Sequence, residues 1–135
     1  MGSPFSAQYS HEKLRVAVDC LASSDAPLRD RMFSAAISAL IRLHHEEPPS
    51  QDDPEAYEVW ERVQKIMTAL TATAAGGDEG SCRASIDAME IQDLESLATD
   101  VVTAFALVAS IRRRSSDSSR SVSVESGVGL YRRYR

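Results

Sequence analysis

Apolar positions along this chain recur at steps of three and four, the spacing of one face of an α-helix. Leu14, Ala17, Val18, Leu21 and Ala22 draw such a stripe down a first helix. Ser10 stands ahead of it as a cap, and Ser23-Ser24-Asp25 breaks it. Arg15 and Asp19 fall one turn apart and form a same-face ion pair. Pro27 suits the first turn of a second helix, where its missing N–H has no partner to lose. Leu28, Met32, Phe33, Ala36, Leu40 and Leu43 continue that helix until Pro48-Pro49 stops it.

Asp53-Pro54-Glu55 restarts the chain with a capping acid, a proline at the first helical position and a second acid in the first turn. Tyr57, Trp60, Val63, Met67 and Leu70 carry a third helix to Thr71. Gly76-Gly77 marks a turn between helices, with glycines suited to positive φ. Ser81 opens a short helix through Ile86 to Met89, and Asp93 begins the last one. There Leu94, Leu97, Val101, Ala104, Val108 and Ile111 alternate steps of three and four. Val102 and Phe105 widen that stripe, which favours packing into a core over a dimer seam. No strand alternation precedes residue 121, and no internal repeat is evident. The pattern predicts an all-α fold: a compact bundle of four to five helices with a disordered C-terminal tail.

Charge divides the chain at the same place as the pattern. Residues 1–112 carry 9 Lys/Arg against 18 Asp/Glu, whereas residues 113–135 carry 6 Arg against 2 acids, with 7 serines. The expected organisation is a flexible N-terminus over 1–9, a helical bundle over 10–112 and a basic Ser/Arg-rich tail over 113–135. The acidic bundle would repel a nucleic-acid backbone by itself. The absence of an 18-residue apolar run predicts no membrane span. The absence of a leader, together with only two cysteines, predicts a reducing, cytoplasmic setting. Met1-Gly2-Ser3-Pro4-Phe5-Ser6 fits the degenerate N-myristoylation pattern, and Gly2-Ser3 equally fits a cloning remnant.

The stretch from Gly77-Asp78-Glu79-Gly80 through Ile86, Met89 and Leu94 to Val102 resembles a set of small uncharacterised bacterial helical proteins. The shared features are a Gly-Asp-Glu-Gly turn, a short helix ending near a methionine and an acidic start to a final helix. The resemblance covers most of residues 12–112 and departs at the tail. It implies an all-helical fold and a bacterial or phage origin, and no activity.

Four clusters bear on chemistry. His44-His45-Glu46-Glu47 is the densest group of metal-competent side chains. Adjacent residues on a helix point about 100° apart, so the two histidines do not share one ion; the spacing predicts a role in covering a helix C-terminus. His11 reads as a surface residue of the first turn. Gly76-Gly77-Asp78-Glu79-Gly80 resembles the Gly-Gly-Asp-Glu-Phe signature of diguanylate cyclases but departs at Gly80 and lacks the α/β context that chemistry needs. Asp52, Asp53, Glu55, Glu58 and Glu61 form an acidic run at a helix start, where acids stabilise the dipole. Cys20 reads as a buried small hydrophobe. Cys82 lies near a helix start, where a thiolate would be favoured, but no histidine is placed to activate it. No catalytic, cofactor-binding or metal site is predicted.

The tail is the better candidate. Arg112, Arg113 and Arg114 leave the last helix, followed by Arg120 and then Tyr131, Arg132, Arg133, Tyr134 and Arg135. Arginine interleaved with tyrosine suits phosphate contact with base stacking, and equally suits an acidic protein surface or the chain's own acidic bundle. Val122-Ser123-Val124-Glu125 alternates and would suit strand addition to a partner. Arg112-Arg113-Arg114-Ser115-Ser116 would suit a basophilic kinase. The expectation is a non-enzymatic protein-interaction or regulatory module, with a protein partner or a second copy of itself. Nucleic-acid association through the tail is the alternative.

Overall fold

The computed structural model of the chain describes residues 5–23 and 25–127, with side chains through Arg114. Among the described residues there are five helices: α1 (Ala7–Ala22), α2 (Leu28–Ala35, continued by a π-helical turn at Ala36–Leu40 and by Ile41–His44), α3 (Pro54–Leu70), α4 (Gly77–Ala88) and α5 (Ile91–Gly127). No strand occurs among the described residues. Both α1 and α3 pack on α5, α1 also packs on α2, and α4 rests against α2 and α3. Leu14 and Ala17 of α1 meet Met32, Leu40 and Leu43 of α2, Val59, Val63, Ile66, Met67 and Leu70 of α3, and Ile86 of α4 in one core. Leu94, Val101, Ala104 and Val108 of α5 complete it. Each large aliphatic side chain removed from water there contributes about 1.5–3 kcal/mol. The fold is therefore the all-α bundle that the spacing predicts.

The boundaries differ in instructive ways. The first helix starts at Ala7, capped by Ser6 Oγ, which accepts the Tyr9 N–H at 3.1 Å. Ser10 is buried inside that helix, and its hydroxyl donates to the Ser6 carbonyl at 2.7 Å. Residues 5–9 are accordingly built into the bundle instead of forming a flexible end. Phe5 is buried, and its N–H donates to the Glu47 carbonyl at 2.9 Å. A lone aromatic six residues ahead of His11 is too short a pattern to register as periodicity.

The π-helical turn in α2 leaves no trace in the spacing. Ala35, Ala36, Ala39 and Leu40 are all buried around it, and the alanines leave room for its wider backbone. In α3 the buried stripe is Ala56, Val59, Val63, Ile66, Met67 and Leu70. Tyr57 and Trp60 are rotated to its edge, because the indole N–H must reach a partner. It donates to the Glu46 carbonyl at 3.3 Å. Helix α4 begins at Gly77, whose φ of 73° carries the chain into the helix. Ser81 lies inside α4 and does not cap it. Its Oγ accepts the Ala75 N–H at 3.0 Å, and Ser85 Oγ accepts that of Thr73 at 2.8 Å, so two serines of α4 hold the loop before it.

The largest boundary difference is in α5, whose helical backbone passes Arg112 and runs to Gly127. The tail expected over 113–135 is thus helical backbone from 113 to 127. Its side chains beyond Arg114, and all of residues 128–135, lie outside the described residues, as do the Gly2 acylation pattern and the disorder expected at the chain's end.

Candidate functional site

The clusters that the sequence offers for chemistry are taken up by structural contacts. His44 Nδ1 lies 2.7 Å from Gln64 Oε1, and the Gln64 amide donates to the His44 carbonyl at 3.3 Å, so His44 ties α2 to α3. His45 Nε2 lies 2.7 Å from Asp78 Oδ2 and ties α2 to the first turn of α4. The two rings are tilted by 49° and point to different partners. Among the described residues, no three His, Cys, Asp or Glu side chains converge as metal ligands would. The acidic run is distributed in the same way. Asp53 Oδ1 caps α3 by accepting the Ala56 N–H at 3.2 Å. Glu58 pairs with Arg62 at 3.1 Å. Asp78 and Glu79 occupy the first turn of α4 and form no hairpin.

Cys82 is buried in the core. Burial first, then the nearby charges of Asp78 and Glu79, push its thiol up from the ordinary cysteine value. A helix start favours a thiolate only where the thiol faces the free N–H groups, and this one faces the bundle. Cys20, expected on the buried stripe, is only half-buried, and both cysteines are free thiols.

Of the candidate tail residues, Arg112, Arg113 and Arg114 stand exposed on α5, where the described side chains end. Arg114 reaches back to Glu55 in the first turn of α3 and donates to Ser110 Oγ at 2.9 Å. The chain's own acidic bundle therefore holds one of the three arginines. Arg112 lies close enough to His11 to help lower its pKa. Arg113 has no ion-pair partner among the described residues. Arg120 belongs to helical backbone whose side chains are not described. Tyr131, Arg132, Arg133, Tyr134 and Arg135 lie outside the described residues, as does Ser115-Ser116 as a side-chain site. Val122–Glu125 falls on helical backbone and not on a strand.

The spacing also left unread the outer face of α5. Val102, expected to widen the buried stripe, is 48% exposed, and Ile91 is 50% exposed. Ala106 is exposed on the same side, whereas Ala98 is half-buried and packs against the core at the edge of that face. Asp93, Glu95 and Asp100 punctuate Ile91–Arg114, so no unbroken apolar run is seen; yet by length and composition alone this stretch is long and apolar enough to cross a bilayer. A signal for the outer face does exist in the sequence: positions 91, 98, 102, 106 and 109 also follow steps of three, four and seven. The stronger inner stripe of leucines and valines masks it. Comparison with protein-family models, with curated proteins and with solved structures finds no match to this chain.

Proposed function

We propose that this chain is a non-enzymatic helical interaction module that acts by binding another protein through the solvent face of α5. The observation that carries this reading is the exposure of Val102 and Ile91, at 48% and 50%, on a helix whose opposite face is fully occupied by the core. Apolar surface left open and rimmed by polar residues is where a protein meets a partner. A cytoplasmic setting is part of the reading, supported by two free thiols.

The test is affinity capture from the native host with the full chain, the Val102→Arg variant and a chain lacking residues 113–135. The reading expects partners retained by the shortened chain to be lost from Val102→Arg. Partners indifferent to Val102→Arg would refute it. A second reading, nucleic-acid association through the basic tail, is favoured by the exposure of Arg112 and Arg113. It expects binding that weakens steeply with salt and disappears when residues 113–135 are removed.

A further inference from the structure

Among the described residues, α4 buries fewer side chains than any other helix: Cys82, Ser85 and Ile86. Its 12 residues include Gly77, Gly80, Ser81 and Ser85, a poor composition for a helix. A helix of that length is marginal in water by itself, so α4 persists through what it touches. Its polar ties to the other helices run to α2 alone. The Arg29 guanidinium donates to the Ile86 carbonyl. Arg83 pairs with Asp30 at 3.3 Å and lies 4.8 Å from the centre of the Phe33 ring. His45, at the C-cap of α2, reaches Asp78 at 2.7 Å. Among the described residues no hydrogen bond or ion pair joins α4 to α1, α3 or α5. On its α3 and α5 side it borders an open groove of about 460 Å³, lined by Ala69, Ala72, Ala88, Met89 and Leu97 among others.

The segment is also separable at both ends. Thr73 and Ala75 of the preceding loop donate their N–H groups to Ser85 and Ser81, so the loop is tied to α4 and not to α3. Residues 72–79 are all exposed, and the space that a side chain would fill at Gly76 and Gly77 is empty. At the other end Met89, extended with a ψ of 149°, separates α4 from α5. We propose that residues 73–88 open as one unit, leaving α2 and losing their helix while the other four helices stay folded. Opening brings Cys82 and Ile86 into water and bares the apolar surface of α2 and α3 that they cover. Proteins open locally in such contiguous units well below the free energy of global unfolding. Two of the three clasps, at Asp30 and Asp78, lie exposed, where charged contacts hold weakly.

Cys82 reports the opening, because its thiol is inaccessible while α4 is closed. In a Cys20→Ser chain, its reaction with a chromogenic aromatic disulfide is followed against urea and compared with global unfolding seen by circular dichroism. Without urea the reaction is expected to run at least about tenfold faster than global unfolding allows. It should change little at low urea, because a small unit exposes little surface. His45→Gln and Arg83→Gln are each expected to speed it, by up to about fivefold. Val108→Ala, in the part of the core that stays folded, is expected to lower the urea midpoint and leave the Cys82 rate unchanged. Hydrogen exchange read by mass spectrometry should show the amides of α4 exchanging together, ahead of those of α3. A Cys82 rate that follows global unfolding at every urea concentration, or that rises with Val108→Ala as the midpoint falls, overturns the inference. So do α4 amides as protected as those of α3, or a rate indifferent to both clasp variants.

Discussion

The inner and outer faces of α5 have nearly the same periodicity and opposite fates. Leu94, Leu97, Val101, Ala104 and Val108 step inward and are buried against α1, α2 and α3. Ile91, Val102 and Ala106 step outward and stay exposed, with the half-buried Ala98 and Ala109 at the edge of that side. Spacing fixes that residues share a face, and volume decides which face the core accepts. The inner set supplies three large leucine or valine side chains that are essentially inaccessible. The outer set is mostly alanine, interrupted by Glu95 and ended by Arg113, and could not have filled the same space at interior density. One helix thus presents two seams, one consumed by folding and one left over.

The sharpest break of that comparison is a pair of truncations. Leu94→Ala is expected to cost about 2–5 kcal/mol in urea unfolding, because it removes buried methyl groups and leaves a cavity. Val102→Ala is expected to stay within about 0.5 kcal/mol of the parent. Equal losses would mean that the two faces are not distinct. Phe105 stands at the border, half-buried, with its ring 5.3 Å from that of His11 on α1. Phe105→Ala should fall between the two, losing about 1.5–3 kcal/mol.

The inner face was legible from sequence because Leu94, Leu97, Val101 and Val108 are large apolar residues at steps of three and four, and the width of the stripe favoured a core over a dimer seam. Met32, Leu40, Leu43, Val63, Met67 and Leu70 were legible for the same reason. Ser6, Phe5 and Ser81 were not. A serine before a helix and a serine within one look alike until it is known which N–H groups need an acceptor. The fates of His44, His45 and Glu55 depend on Gln64, Asp78 and Arg114, residues 20, 33 and 59 positions away, and only the packing of α2, α3, α4 and α5 brings them together. Val102 reads from the spacing, with Phe105, as a widening of the buried stripe, yet it stands exposed. A difference of 100° around the helix separates burial from exposure, and composition does not resolve it.

The edge of α5 that faces α3 offers a smaller effect. Arg114 and Glu55 are 54% and 57% exposed, so their contact is worth only what exposed ion pairs contribute. Arg114→Gln is expected to lower stability by roughly 0.2–1 kcal/mol at low salt. The difference should fade in 1 M salt, where charges are screened within about 3 Å. A loss that persists at high salt would show that Arg114 packs its stem on the bundle and does not act through its charge.

The opposite edge, facing α1, is expected to show the smallest effect, and it depends on pH. His11 sits under Phe105, and its pKa is held below the ordinary histidine value, first by burial and then by the positive charges of Arg112 and Arg15; Glu12 acts in the other direction. In the unfolded chain His11 takes up its proton near pH 6.5, whereas in the fold it does so only at lower pH. The unfolded state therefore binds more protons in that interval, and stability rises with pH across it. The contribution is complete above about pH 6.5, is lost as the pH falls through the folded value, and changes no further below it. His11→Gln should flatten this part of the stability profile, seen by comparing parent and variant in urea at pH 7 and at successively lower pH. Arg112→Gln should raise the His11 pKa in an NMR titration and narrow the same interval. If His11 titrates at its unfolded value in the parent, the ring is not packed beneath Phe105, and the border between the two faces of α5 must be redrawn on the α1 side.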